Sequence, residues 1–169
     1  MNFLIVVDMQ NDFIYGSLGT AEAKKTVDNV VAKVKSFDGH ILFTRDTHAT
    51  DYLKTQEGKN LPVEHCIVNT DGWQICDALL PFVKDNIVNK ATFGSTDLPD
   101  IIKRIDACPE KITLCGLCTD ICVISNAMIL KAAFPETKIA VDSACCAGVS
   151  PQSHNTALNA MKAVQIDIV

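Results

Sequence analysis

The chain has 169 residues, 48% of them apolar, with a mean hydropathy of +0.18 and a formal net charge of −5. That length suffices for one domain with a real core and no covalent staples. No apolar run approaches the roughly 18 residues of a membrane span, and Lys and Arg are scattered rather than gathered into a stripe that neutralises nucleic-acid phosphates.

The opening MNFLIVVDMQNDF has no basic lead and meets Asp8 early. It is expected to be a first strand rather than a signal peptide, which points to a cytoplasmic protein. FLIVV at 3–7 is a continuous β-branched run of the kind buried on both faces of a sheet. Val27, Val30, Val31 and Val34 then make the stripe of an amphipathic helix over 21–37, stopped at Asp38-Gly39 before a second strand, HILFT, at 40–44. A polar, irregular stretch runs from Arg45 to about Gly72; connections of that length are uncommon unless they carry function.

The pattern predicts a short helix over 73–83, a third strand at 86–89, and a helix through Ile105 capped by Thr96 or Asp97 with Pro99 in its first turn. ITLCG at 112–116 is a fourth strand, 119–133 a helix, KIAVD at 138–142 a fifth strand. Ser150-Pro151 opens a last helix to about Ala163, and QIDIV at 165–169 is a sixth strand. Strand and helix alternate throughout, so the expected fold class is α/β: three layers, α/β/α, with a six-stranded, mostly parallel, Rossmann-like sheet and right-handed crossovers, in a single domain over 1–169.

Ligands of open parallel sheets bind beyond the carboxyl ends of the strands. Asp8 ends the first strand, Arg45 and Asp46 the second, Lys90 the third, and Asp142 the fifth; the fourth leads through Gly116 to Cys118, Asp120 and Cys122. Reactive residue types therefore gather on one edge. Cys122 lies at a strand-to-helix junction, where helix-terminal N–H groups and a nearby Lys90 are expected to lower a thiol pKa. Asp8 is then a candidate to take the thiol proton and return it to a leaving amine. The amides of Cys118 and Cys122 are candidates for an oxyanion hole.

Other readings are weaker. Taken singly, each cysteine reads as core filler, each Asp as a cap and Lys90 as a surface residue. Cys115, Cys118 and Cys122 have metal-like spacing but no well-spaced fourth partner. A nucleotide-binding module lacks its G-x-G-x-x-G after the first strand, where Asp8 and Asp12 would repel a pyrophosphate. Eight cysteines also admit a redox or metal-storage role, although without a recognisable leader most read as reduced, buried small hydrophobes.

Three segments carry a family likeness: DMQNDF at 8–13, KATFGS at 90–95 and GLCTDICV at 116–123. With them the chain resembles the isochorismatase-like cysteine hydrolases, and within these the nicotinamidase group. The resemblance implies Asp8, Lys90 and Cys122 as a catalytic triad, and a cis peptide between Leu117 and Cys118 that aims the oxyanion-hole amides. It also implies Asp46, His48 and His65, from DTH at 46–48 and HC at 65–66, as ligands of a divalent metal such as zinc, manganese or iron, with Glu57 a weaker fourth. No organic cofactor is expected.

Phe13 and Phe93 are candidates to line the substrate pocket and Trp73 a weaker one, each with a core role as the alternative. Cys118 stands where many relatives have a small residue, so a second thiol lies beside the nucleophile, as filler or as a redox partner. The expected substrate is a small amide, nicotinamide first, with a carbamoyl or ureido compound handled without metal as the alternative. Ether hydrolysis of isochorismate is disfavoured because relatives that do it do not use this cysteine. No nucleic-acid or membrane partner is expected; the apolar content fits a homo-oligomer or a large core equally.

Overall fold

The computed structural model describes all 169 residues. Its centre is β1 (Asn2–Val7), whose residues Phe3 to Val7 are completely buried because helices cover both faces of the sheet. Beyond Asp8 come α1 (Asn11–Ile14) and α2 (Ala21–Ser36). Thr20 caps α2 by accepting from the Ala23 amide, and Ala23, Val27, Val30 and Val34 form its buried stripe. Next are β2 (His40–Asp46), α3 (Gln56–Asn60), β3 (Ile87–Lys90), α4 (Leu98–Ile105) and β4 (Lys111–Leu117). The chain finishes with α5 (Ile124–Ala133), β5 (Lys138–Ala147), α6 (Pro151–Ala163) and β6 (Asp167–Ile168).

The strand order is β3-β2-β1-β4-β5-β6 and every pairing is parallel, so the sheet is wholly rather than mostly parallel. From β1 the chain winds outward through β2 and β3, then returns to the other side of β1 and winds through β4, β5 and β6. The switch in direction falls between β1 and β4, and a crevice forms beyond their carboxyl ends. Gly116 permits the close approach there: its φ is +110°, and a Cβ would sit 2.1 Å from the Val7 carbonyl oxygen.

Four expectations change. Residues 73–83 do not form a helix; only a 3₁₀ turn at Leu80–Phe82 remains, containing Pro81. Ile75 bridges Gln10, and the Cys76 amide donates to the Met9 carbonyl at 2.9 Å, so the exit of β1 takes the backbone bonds a helix would need. Asp97 stands at the N-cap of α4, as one of the two expected candidates, but its side chain makes no capping bond; the Leu98 amide donates instead to Ser95 Oγ at 3.2 Å. β5 runs to Ala147 through an irregularity opposite Cys115, so Asp142 is not a strand end; it pairs with Lys33 of α2 at 2.7 Å. The last strand shrinks to Asp167–Ile168, preceded by Gln165 with φ 65°.

No helix is long and apolar enough to cross a membrane.

Candidate active site and metal centre

The ends of four strands supply the candidate site. Asp8 follows β1 with φ 46°, a left-handed conformation that Asp tolerates better than most residues, which turns its carboxyl back over the sheet edge. Lys90 is the last residue of β3 and pairs in register with Asp46, the last of β2. Beyond β4 the peptide between Leu117 and Cys118 is cis, as the resemblance implies. The expected helix over 119–133 then begins as a π-helical turn at Thr119–Val123 before becoming α5, with Cys122 inside the turn.

These residues converge on the Lys90 ammonium. Its Nζ lies 2.6 Å from Asp8 Oδ2, 3.2 Å from Asp46 Oδ1, 3.5 Å from Cys122 Sγ and 3.1 Å from the Thr92 carbonyl oxygen. All four of Asp8, Asp46, Lys90 and Cys122 are buried. The other Asp8 oxygen, Oδ1, accepts a 2.6 Å hydrogen bond from the Thr44 hydroxyl. Oδ2 is ion-paired to the Lys90 ammonium. The adjoining Cys122 thiol can give Oδ2 a proton.

Charge in this cluster follows from burial and neighbours. Burial disfavours a charged Lys90, but the negative groups around it, Asp8 first, outweigh that and hold the ammonium protonated well beyond its ordinary range. Burial raises the Asp8 carboxyl, partly offset by Lys90. The expectation of a low-pKa Cys122 is overturned. Burial, then the Asp8 charge, push the thiol well above its ordinary value, and Lys90 only partly opposes them. That direction favours proton transfer from thiol to Asp8 during attack over a standing thiolate. Burial also pushes Cys118, half-buried next to the turn, up to about 12.

Beside Asp8, Lys90 and Cys122 lies a second cluster: Asp46, His48, Glu57 and His65, whose candidate ligand atoms all fall within 4.8 Å of one another. His48 Nε2 is 2.9 Å from Asp46 Oδ2 and 3.6 Å from Glu57 Oε1; His65 Nε2 is 3.6 Å and 3.7 Å from the same atoms. Donor separations of about 3–4 Å are what metal bonds of roughly 2.1 Å produce. The Val63 carbonyl, 2.8 Å from His65 Nδ1, can only accept, so Nδ1 carries the hydrogen and a neutral ring turns its Nε2 lone pair inward. Burial disfavours charge on His65, but the Asp46 hydrogen bond and the other acidic groups outweigh it and raise the imidazole. Asp46, although buried, is held well below the usual carboxylate range by His48, His65 and Lys90. Two imidazoles, two charge-balancing carboxylates and a fixed His65 tautomer fit a divalent transition ion.

The loop that carries these ligands is more ordered than its polar sequence suggests. Tyr52 is fully buried with its ring 4.7 Å from His48 and 4.9 Å from His65, and its hydroxyl donates to the Leu61 carbonyl at 2.9 Å. Gln10, also fully buried, accepts from the Asp46 amide at 2.7 Å and donates to the Asp46 and Trp73 carbonyls at 2.8 and 2.9 Å. Sequence reasoning missed Gln10, Tyr52 and Thr44. Gln10 lies inside DMQNDF and was within reach of a motif reading; the other two have no local signature.

The remaining candidates divide. Phe13 is buried with its ring 5.5 Å from His65, behind the metal cluster. Phe93 is 46% exposed and lines a cleft of about 420 Å³ together with Glu57, Leu61, Thr92 and Ile121. That cleft opens beside the turn that carries Cys122. Trp73 is structural: Arg45 lies 3.4 Å over its ring, and its indole N–H donates to Thr47 Oγ1 at 2.8 Å. Arg45 and Asp142 therefore leave the reactive set. Hollows of about 420 and 510 Å³ elsewhere, one against α6 and one beside Tyr15, hold neither thiol nor imidazole.

Residues 2–169 match the isochorismatase domain model. The chain belongs to the isochorismatase domain family. A nicotinamidase of Saccharomyces cerevisiae (strain ATCC 204508 / S288c) is 24% identical over 217 residues, covering 100% of this chain and 99% of that protein. The nicotinamidase/pyrazinamidase of Bacillus subtilis superposes with a TM-score of 0.85 at 25% identity, covering 99% of this chain and 98% of the other. A zinc complex of the pyrazinamidase of Pyrococcus horikoshii superposes with a TM-score of 0.84 at 28% identity, over the same shares of the two chains.

Proposed function

We propose that the protein is an amidohydrolase of the nicotinamidase type, converting nicotinamide to nicotinate and ammonia through Cys122, Asp8 and Lys90. The observation that carries this reading is the single ammonium, Lys90 Nζ, within 3.5 Å of the thiol sulfur, the Asp8 carboxylate and Asp46 of the metal cluster. Nucleophile and metal cluster thus sit one ammonium apart. A substrate that engages both must be small, with a lone pair a few ångströms from its amide, as in a pyridine carboxamide. Family membership and the named activities of the relatives support the same reading.

In the proposed mechanism Asp8 Oδ2 takes the Cys122 proton as the sulfur attacks the amide carbon. Oxygen of the tetrahedral species is held by the amides of Cys118 and Cys122. Asp8 passes the proton to the departing nitrogen, which leaves as ammonia, and the acyl group remains on sulfur as a thioester. Water then attacks the thioester carbon, giving one proton to Asp8; the acid leaves, and the proton returns to Cys122. Throughout, Lys90 keeps Asp8 in place and stabilises charge on sulfur, while Thr44 fixes which Asp8 oxygen faces the thiol.

Asp46, His48 and His65, with Glu57, would hold a divalent ion, which when bound supplies a positive anchor for a substrate lone pair. Phe13 and Phe93 are proposed to bound the pocket. Ammonia release from nicotinamide by the purified protein tests the reading. Steady release above the uncatalysed rate is expected; none with the metal-loaded protein would remove nicotinamide as substrate.

A further inference from the structure

We propose that Asn126 is a positioning residue, whose buried carboxamide ties the segment after Lys90 to the main chain of Cys122 and so sets where ammonium and sulfur meet. The inference rests on the reading of Cys122 and Lys90 as partners in catalysis. Asn126 stands four residues beyond Cys122 and is completely buried. Its Oδ1 accepts from the Ser95 amide at 2.9 Å, and its Nδ2 donates to the carbonyls of Cys122 at 2.8 Å and Phe93 at 3.3 Å. Asn is a poor choice for a helix interior, and these bonds account for it in the apolar run ISNAMIL.

Every one of those bonds goes to a segment carrying a proposed catalytic group. Gly94, between the two residues Asn126 holds, lies against α5: a Cβ there would meet Ile129 Cδ1 at 2.5 Å and the Ser125 carbonyl carbon at 3.1 Å. The same segment gives the Thr92 carbonyl to Lys90 Nζ at 3.1 Å and presents Phe93 to the cleft. Ser95 Oγ in turn accepts from the Leu98 amide, the first of α4, so Asn126 also bears on where that helix starts. Freed from Asn126, the 92–95 segment would move together with its grip on the ammonium.

Asn126→Ala, Asn126→Ser and Gly94→Ala test this, each assayed below its own melting temperature. Two quantities are read: kcat for nicotinamide, and the rate at which iodoacetamide alkylates Cys122 at fixed pH, followed by peptide mapping. Ser can still donate to the Cys122 carbonyl one turn back, as helical serines do, but cannot span to Ser95. In all three variants kcat is expected to fall about 100-fold, the effect of roughly 1 Å of misplacement. Alkylation should slow by about tenfold, the thiolate lost for a one-unit shift away from Lys90. Wild-type alkylation rates in all three variants would overturn the proposal, as would recovery of both quantities in Asn126→Ser. Slowed alkylation in a protein inert toward nicotinamide would uphold it and remove the substrate instead.

Discussion

Lys90 Nζ lies 3.2 Å from Asp46 Oδ1, and through that contact the proposed triad and the candidate metal cluster share a carboxylate. The other Asp46 oxygen faces His48 at 2.9 Å. One residue thus bears on both metal affinity and the placement of the ammonium, so variants at Asp46 and His48 should differ. His48→Ala is expected to lower bound metal and raise KM, with a smaller loss in kcat. Asp46→Asn should lower bound metal and also reduce kcat. Elemental analysis beside steady-state kinetics checks both.

Asp8→Asn removes the acceptor for the thiol proton while keeping the shape of the side chain. The rate with nicotinamide should fall by about 10²–10⁴, the range for loss of a positioned acid–base group. Circular dichroism should show the fold intact. Thr44→Val, which removes only the 2.6 Å bond to Asp8 Oδ1, should cost less.

The thiols offer a check that needs no substrate. All eight cysteines are free, and only Cys108 is exposed. With Cys122 protonated by burial and by Asp8, a disulfide reagent at neutral pH should label one thiol quickly. Cys108→Ser should abolish that fast phase, and denaturant should release the rest. A fast phase that survives in Cys108→Ser and maps to Cys122 would mean a resting thiolate.

Lys90→Met leaves two carboxylates in the interior without their cation and should cost about 3–5 kcal/mol, as when one partner of a buried pair is removed. The pH dependence has a definite sign. Folding raises Lys90 above its ordinary 10.5 because the neighbouring carboxylates, Asp8 first and then Asp46, outweigh its burial. The unfolded chain loses this proton first, so the contribution is complete below pH 10.5 and declines as the pH rises above it. Urea midpoints between pH 8 and 11.5 should fall more steeply in the wild type than in Lys90→Met.

Much of the site was legible because strand ends in a parallel sheet share an edge: Asp8, Asp46, Lys90 and Cys122 could be gathered from hydrophobic pattern alone. The motifs then supplied the roles, and DTH with HC supplied a ligand set whose donor atoms lie close together. Residues 73–83 misled because an apolar pattern does not reveal that Ile75 and Cys76 are claimed by Gln10 and Met9. Thr44, Gln10 and Asn126 act through side-chain bonds to segments 31 or more residues away, which spacing does not encode. The Cys122 pKa was misjudged for a related reason. Proximity to Lys90 was readable, but the burial that outweighs it comes from packing.

The most direct measurement is ammonia release from nicotinamide by the Cys122→Ala protein beside the wild type, with both melting curves recorded. The account predicts turnover in the wild type and none above background in the variant, with the cooperative transition retained. Wild-type turnover by Cys122→Ala would contradict it, because the bond to carbon would then be made by some atom other than this sulfur.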